Sequence, residues 1–145
     1  MSGVEFFVHG IPAPQGSKTR TRYGMIESSK KVQPWREAVV SEIIRLGYSD
    51  KHLDGPLAVD ILFTFKRPQS HYGSRKGVPY VKDTAPRFVA QTPDIDKCQR
   101  STYDALTQSG LIKDDSLIVS NRNVMLYGDE RFGALIIVAQ VGEIK

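Results

Sequence analysis

Two acid pairs carry the chemistry that this sequence could do: Asp94 and Asp96, separated by Ile95, and then Asp114 and Asp115. Clusters of carboxylates without nitrogen or sulfur ligands suit Mg²⁺ or Mn²⁺, hard ions that prefer octahedral oxygen coordination. Side chains two residues apart on extended backbone point the same way, so Asp94 and Asp96 share a metal if a helix starts only at Asp96. Asp96 with Gln99 three residues later resembles a capping box, which supports that start. The rival start, Thr92 as cap with Pro93 in the first turn, sets the two carboxylates about 200° apart around the helix. With ten aspartates in 145 residues, either pair alone is at the level of chance. Its bland reading is helix capping for Asp94 and Asp96 and a turn for Asp114 and Asp115.

Arg100 lies four residues after Asp96, one helical turn on, and helical side chains lean toward the N-terminus, so its guanidinium reaches the acidic end. There it forms either an ordinary surface pair with Asp96 or a phosphate clamp beside a metal, with Lys97 close by. A helix from Asp96 to Ser109 is about 20 Å long, which puts Asp115 at its far end. Either an extended return from Gly110 brings Asp115 back, or it meets Asp94 and Asp96 across a dimer interface.

The elements that must position these groups follow from periodicity. Val4 to His9 reads as a strand, and Leu57 to Phe65 alternates cleanly, with Leu57, Val59, Ile61, Phe63 and Phe65 on one face. Trp35, Val39, Ile43 and Leu46 recur at helical spacing between Pro34 and Gly47. A second helix runs from about Asp96 to Ser109, with Cys98, Thr102, Ala105, Leu106 and Ser109 inward and Gly110 at its end. Strands are expected near Ser116 to Leu126 and Ala134 to Val141. Gln15 to Gln33 and Lys66 to Pro93 show no period and read as long basic loops, the second interleaved with Tyr72, Tyr80 and Phe88, aromatics able to stack on unpaired bases. The fold class expected is α+β: a single small domain over residues 1–145, one mixed sheet covered by two helices.

Charge is uneven. Residues 1–90 hold 14 Lys and Arg against 8 Asp and Glu, whereas residues 91–145 hold 6 against 8, for a net charge of +4. Lys18, Arg20, Arg22, Lys30 and Lys31 in the first loop, and Arg75, Lys76, Lys82 and Arg87 in the second, are the candidate DNA-binding residues, with Lys97 beside the acids; such clusters attract phosphate. His9, His52 and His71 share no ligand spacing and read as structural, as do Cys98 and Trp35. A lone cysteine forms no internal disulfide, and no apolar run is long enough to span a membrane, so the cytoplasm is the expected compartment. There is no Walker A loop and no G-x-G-x-x-G, so no nucleotide cofactor is expected.

Taken jointly, Pro93-Asp94-Ile95-Asp96-Lys97, Tyr103-Asp104-Ala105-Leu106-Thr107, Gly110 and Ile112-Lys113-Asp114-Asp115 resemble the RusA family of Holliday junction resolvases, common among phages and prophages. The resemblance covers about 25 residues closely and implies a RusA-like fold. It further implies a homodimeric, Mg²⁺-dependent crossover junction endodeoxyribonuclease of DNA recombination and repair, acting in a bacterial host cell. Asp94, Asp96 and Asp115 match the catalytic, metal-binding carboxylates, with Asp114 an accessory acid and Arg100 steadying the scissile phosphate. The family usually has Asn after the second Asp and Lys four residues beyond it, where this chain has Lys97 and Arg100; Arg keeps the charge but does not readily shuttle a proton. The family's basic run before the first Asp is replaced by Val89-Ala90-Gln91-Thr92. The competing readings are a nuclease that prefers flaps or forks, and a non-catalytic module binding branched or single-stranded DNA.

Overall fold

The computed structural model describes residues 3–14, 18–21, 24–27 and 32–142. In chain order these form β1 (Gly3–His9), β2 (Lys18–Thr21), β3 (Gly24–Glu27), α1 (Val32–Arg45), β4 (Leu57–Lys66), a 3-10 turn at Gln69–His71, β5 (Tyr72–Arg75) and β6 (Val78–Val81). They continue with α2 (Ile95–Gln108), a 3-10 turn at Asp115–Leu117, β7 (Ile118–Gly128) and β8 (Gly133–Gln140). The fold is α+β, as expected: a mixed four-stranded sheet in the order β1-β8-β4-β7, with two helices.

β4 organises the sheet. Its alternating residues Leu57, Val59, Ile61 and Phe63 are buried, and a strand with one buried face admits only one register, since a slip of one residue would turn every side chain over. β8 runs antiparallel to β4 and β1, whereas β7 runs parallel to β4. The parallel pair requires a long crossover, which here contains the β5–β6 hairpin and α2.

Both helices bury one stripe against the sheet. Trp35, Val39 and Ile43 of α1 and Cys98, Thr102, Ala105 and Leu106 of α2 are buried, the faces that the spacing predicts. The helices are pinned to each other where the buried Trp35 indole donates from Nε1 to Thr102 Oγ1 at 3.0 Å, while the Thr102 hydroxyl donates to the Cys98 carbonyl at 2.8 Å. Ser101 donates to the Ala13 carbonyl at 2.6 Å, tying α2 to the segment after β1. α2 ends at Gly110, whose φ of +88° suits glycine. A Cβ there would also stand 2.3 Å from the Ser49 carbonyl oxygen.

Both segments expected to be loops contain hairpins. β2 and β3 pair antiparallel within the first, and β5 and β6 within the second. Four-residue strands are too short for a period of two to stand out, and their ladders are held by backbone groups that composition does not reveal. The turn between β5 and β6 is Lys76-Gly77, with φ of 53° and 78°, the positive values that a two-residue hairpin turn requires. Phe88 bridges to Leu126, and Val89 N–H and Tyr127 N–H bond to Met125 O and Arg87 O, so the end of the second segment lies along the last part of β7.

Thr102→Val keeps the shape of the side chain but strands the Trp35 indole N–H in the core, and is expected to lower stability by about 1–3 kcal/mol in urea unfolding. A double-mutant cycle with Trp35→Phe should return a coupling energy of about 1 kcal/mol, because the two residues share one hydrogen bond.

Candidate functional site

The chain enters α2 through a cis Thr92–Pro93 bond, and Asp94 is the N-cap residue, with extended φ and ψ of −72° and 140°. Neither start expected from the sequence is the observed one. Asp96 becomes the second helical residue, so the Asp96–Gln99 capping box does not form. Gln99 instead accepts a hydrogen bond from Asn123 Nδ2 on β7. Although Asp94 occupies the capping position, its carboxylate accepts no capping bond.

Asp94 and Asp96 therefore keep their oxygen atoms available. Both are exposed and line one cavity of about 560 Å³. Its walls are the 88–96 segment and Asn123, Val124 and Met125 of β7. The carboxylates are close enough to Cys98 for their charge to disfavour a thiolate. Burial first, then Asp94 and Asp96, push the Cys98 thiol up to about 12.

Beneath the cavity lies a polar seam that the sequence reading missed. Asn121 and Asn123 pair with Val59 and Ile61 of β4, positions that face the core. Asn123 Oδ1 and Tyr103 Oη are buried and complete no hydrogen bond of normal geometry. They do lie near one another: burial raises the Tyr103 pKa, and the neighbouring Asn123 and Asn121 side chains offset part of that rise. The available signal was asparagine at alternate positions of β7, in phase with the buried Met125. Asn123 also lines the cavity that holds the two carboxylates.

The second acid pair stands elsewhere. Asp114 accepts from Ser116 N–H at 3.0 Å and caps the 3-10 turn, a bond that lowers its pKa. Asp115 begins that turn and does not line the cavity. Between Ile118 and Asn123, β7 climbs about 17 Å. Among the described residues, no group of three His, Cys, Asp or Glu side chains could hold one metal ion. The acids brought together within the chain are Asp94 and Asp96.

The basic residues fall into two groups. Lys97 and Arg100 are exposed on the first turns of α2, and among the described residues no ion pair joins Arg100 to Asp96. Arg75 and Lys76 sit at the tip of the β5–β6 hairpin, with Lys82 just after it. The Arg75 guanidinium lies 5.4 Å over the Tyr80 ring, and that of Arg87 lies 5.8 Å over Phe88, which lines the cavity. Tyr80 and Phe88 are exposed. The hairpin is anchored through Tyr127, whose ring meets His71 edge-on at 4.7 Å and Arg67 at 5.6 Å, and whose hydroxyl accepts from Gln91. Arg22, Lys30 and Lys31 lie outside the described residues, as do the side chains of Lys18 and Arg20.

The site thus offers two free carboxylates, bordered by exposed cations and aromatic rings, a set suited to a hard cation and a polyanion. Among the described residues, no helix is long and apolar enough to cross a membrane. The family model described as Endodeoxyribonuclease RusA matches residues 10–138, a span that holds both acid pairs, α2 and the β5–β6 hairpin. No curated protein matches the chain.

A thiol pushed up to about 12 should resist iodoacetamide in the folded protein at pH roughly 8 and react once urea unfolds it. Asp96→Asn should leave that protection intact, because burial is the larger cause. The raised value also means that unfolding releases the proton more readily. Stability from this group is therefore full below the ordinary thiol value of 9.0 and falls as pH rises toward about 12, a slope that Cys98→Ala should remove.

Proposed function

The chain belongs to the RusA endodeoxyribonuclease family, and on that premise we propose that it is a Mg²⁺-dependent enzyme resolving Holliday junctions and related branched DNA by paired phosphodiester hydrolysis. The observation that carries this reading is the pair of uncapped carboxylates, Asp94 and Asp96, at one cavity beside the exposed Lys97 and Arg100. Two carboxylates that line one cavity attract a cation more strongly than either does alone. Their donor set fits Mg²⁺, which takes one or two carboxylates and keeps its remaining positions for water and phosphate oxygens. Mn²⁺ fits the same oxygens. Asp94, Asp96 and Asp115 are the proposed ligands, Asp115 joining across a dimer interface, with Asp114 as an accessory acid.

When bound, the ion neutralises charge at the phosphorus and makes water a stronger acid. The chain's own residues do the rest. Asp94 and Asp96 hold the ion at the mouth of α2. Arg100 grips the scissile phosphate through two parallel N–H bonds, and Lys97 adds a point charge. Lys18, Arg20, Arg22, Lys30, Lys31, Arg75, Lys76, Lys82 and Arg87 bind the arms of the junction through phosphates, which orients the DNA without reading its sequence. Phe88 and Tyr80 are exposed where unpaired bases at a branch would stack. Shape is therefore the main cue. A two-fold homodimer supplies two equivalent sites for two nicks on a two-fold junction. The setting is DNA recombination and repair by a phage-encoded protein in the bacterial cytoplasm.

Asp94→Asn and Asp96→Asn should each reduce Mg²⁺-dependent cleavage of a labelled four-way junction by at least about 100-fold. Binding in gel-shift assays with Ca²⁺ should be retained or tighter, because each variant removes a negative charge facing phosphate. Equal cutting of plain duplex by the wild type would defeat branch selectivity, and faster cutting of flaps or forks would shift the substrate. Junction binding with no divalent-ion-dependent cutting would leave only a DNA-binding module.

A further inference from the structure

An ion accounts for the two aspartates of the cavity but not for the rest of its wall. Phe88, Val89, Pro93, Ile95, Val124 and Met125 line the same space. Two of them leave large apolar side chains open to water, Phe88 at 55% and Ile95, between the aspartates, at 40%. A volume of about 560 Å³ is that of a small-molecule pocket, more than an ion with its waters occupies. The cavity thus has room and apolar surface left for another part of its ligand.

Phe88 is held as a fixed platform. Val89 N–H bonds to the Met125 carbonyl and Tyr127 N–H to the Arg87 carbonyl, each at 3.0 Å, with the Phe88–Leu126 bridge between them. Val89 packs against the core, and successive side chains on extended backbone point to opposite sides, so Phe88 is turned outward. The Arg67 guanidinium fixes the segment one step earlier. It donates to the Pro86 carbonyl at 2.8 Å and pairs with Asp129 at 3.3 Å, its side chain only 11% exposed. An exposed ring on a backbone tied from Pro86 to Val89 is preorganised for a partner. Tyr80 differs, because it lies across Gly73 of the facing strand, where a Cβ would stand 2.6 Å from its ring, and it does not line the cavity.

We propose that Phe88 is the stacking platform of a nucleobase subsite: the base beside the scissile phosphate leaves its helical stack and lies on the Phe88 ring while its phosphate faces Asp94 and Asp96. Arg67 is the residue that positions the platform. The proposal rests on the reading of the two aspartates as a nuclease's metal ligands. A base at a branch has lost a stacking neighbour, so extruding it costs less than extruding a base inside a duplex. The subsite therefore favours branched DNA. The amide nitrogens of Gln91 and Asn123, on the same wall, already donate to Tyr127 and Gln99, so the base is held by its face, which all four bases share. Arg87, whose guanidinium lies 5.8 Å over the Phe88 ring, brings positive charge to the phosphates of the same strand.

Removing the base and removing the ring test the same contact. Two four-way junctions carry an abasic residue, one on each side of the mapped cut, and their single-turnover cleavage with Mg²⁺ at subsaturating enzyme is compared with that of the intact junction. Wild type is expected to lose at least about 5-fold on one of the two, and Phe88→Ala to lose as much on the intact junction, within the range of one base–aromatic stack. Phe88→Ala should then be indifferent to the missing base, because each change removes the same interaction. Phe88→Trp should keep both the rate and the sensitivity to the base. Arg67→Met should shrink the base effect as Phe88→Ala does; a lower rate with the full base effect retained would overturn its positioning role. Losses that multiply in Phe88→Ala, or a wild type that cuts all three junctions equally, would overturn the subsite while leaving the nuclease reading intact. Wild-type protein that cuts none of them with Mg²⁺ or Mn²⁺ would defeat that reading, and the subsite with it.

Discussion

The site depends on how α2 is rotated about its own axis. A helix with one buried stripe could slide or roll over a flat apolar surface, but three polar attachments prevent it here. The Trp35 indole holds Thr102, the Ala13 carbonyl holds Ser101, and Asn123 holds Gln99. These contacts come from α1, from the segment after β1 and from β7, so the roll of α2 is set from three sides. Because hydrogen bonds are directional, they fix an orientation that hydrophobic burial alone leaves loose. Asp94 and Asp96 are one turn from Gln99, and their direction follows from that orientation.

The four aspartates then divide by what the backbone does around them. Asp114 is consumed locally, bonded to Ser116 N–H at the start of a 3-10 turn. Asp94 occupies a capping position without capping, and Asp96 sits in the first turn, where the helix dipole favours negative charge. Among the described residues, neither carboxylate is taken up by an ion pair. Asp115 is held near the start of β7, by the same short return after Gly110 that brings Lys113 N–H to the Leu53 carbonyl at 2.9 Å. An extended return would have carried Asp115 toward the other acids, but the bonding of residues 52–54 to residues 110–113 commits that stretch of chain to the start of β4.

Much of the fold was legible because it is driven by burial. The alternation of Leu57, Val59, Ile61 and Phe63, and the stripes Trp35–Val39–Ile43 and Cys98–Thr102–Ala105–Leu106, correspond to the buried faces. The hairpins were not legible, since β2–β3 and β5–β6 are short ladders without an apolar period. The helix start was legible only to within two residues. Thr92, Asp94 and Asp96 are all acceptable cap types, and the decision rests on how the 88–93 segment lies along β7. Gln99 looked like a capping partner because its spacing fits one. Its real partner, Asn123, is 24 residues away on another element.

From its residues alone, this chain was committed to an apolar β4, two one-sided helices, an oxygen-only set of acids and a basic, aromatic-bearing crossover, because each depends on side-chain type and near-neighbour spacing. Tertiary structure decided which acids meet. Asp94 and Asp96 open on one cavity with Asn123 in its wall, while Asp114 turns to its own backbone and Asp115 stays at the far end of an open strand. The reason is geometric: spacing of a few residues constrains direction within one element, whereas convergence between elements depends on the sheet order and on where each connection is tied down.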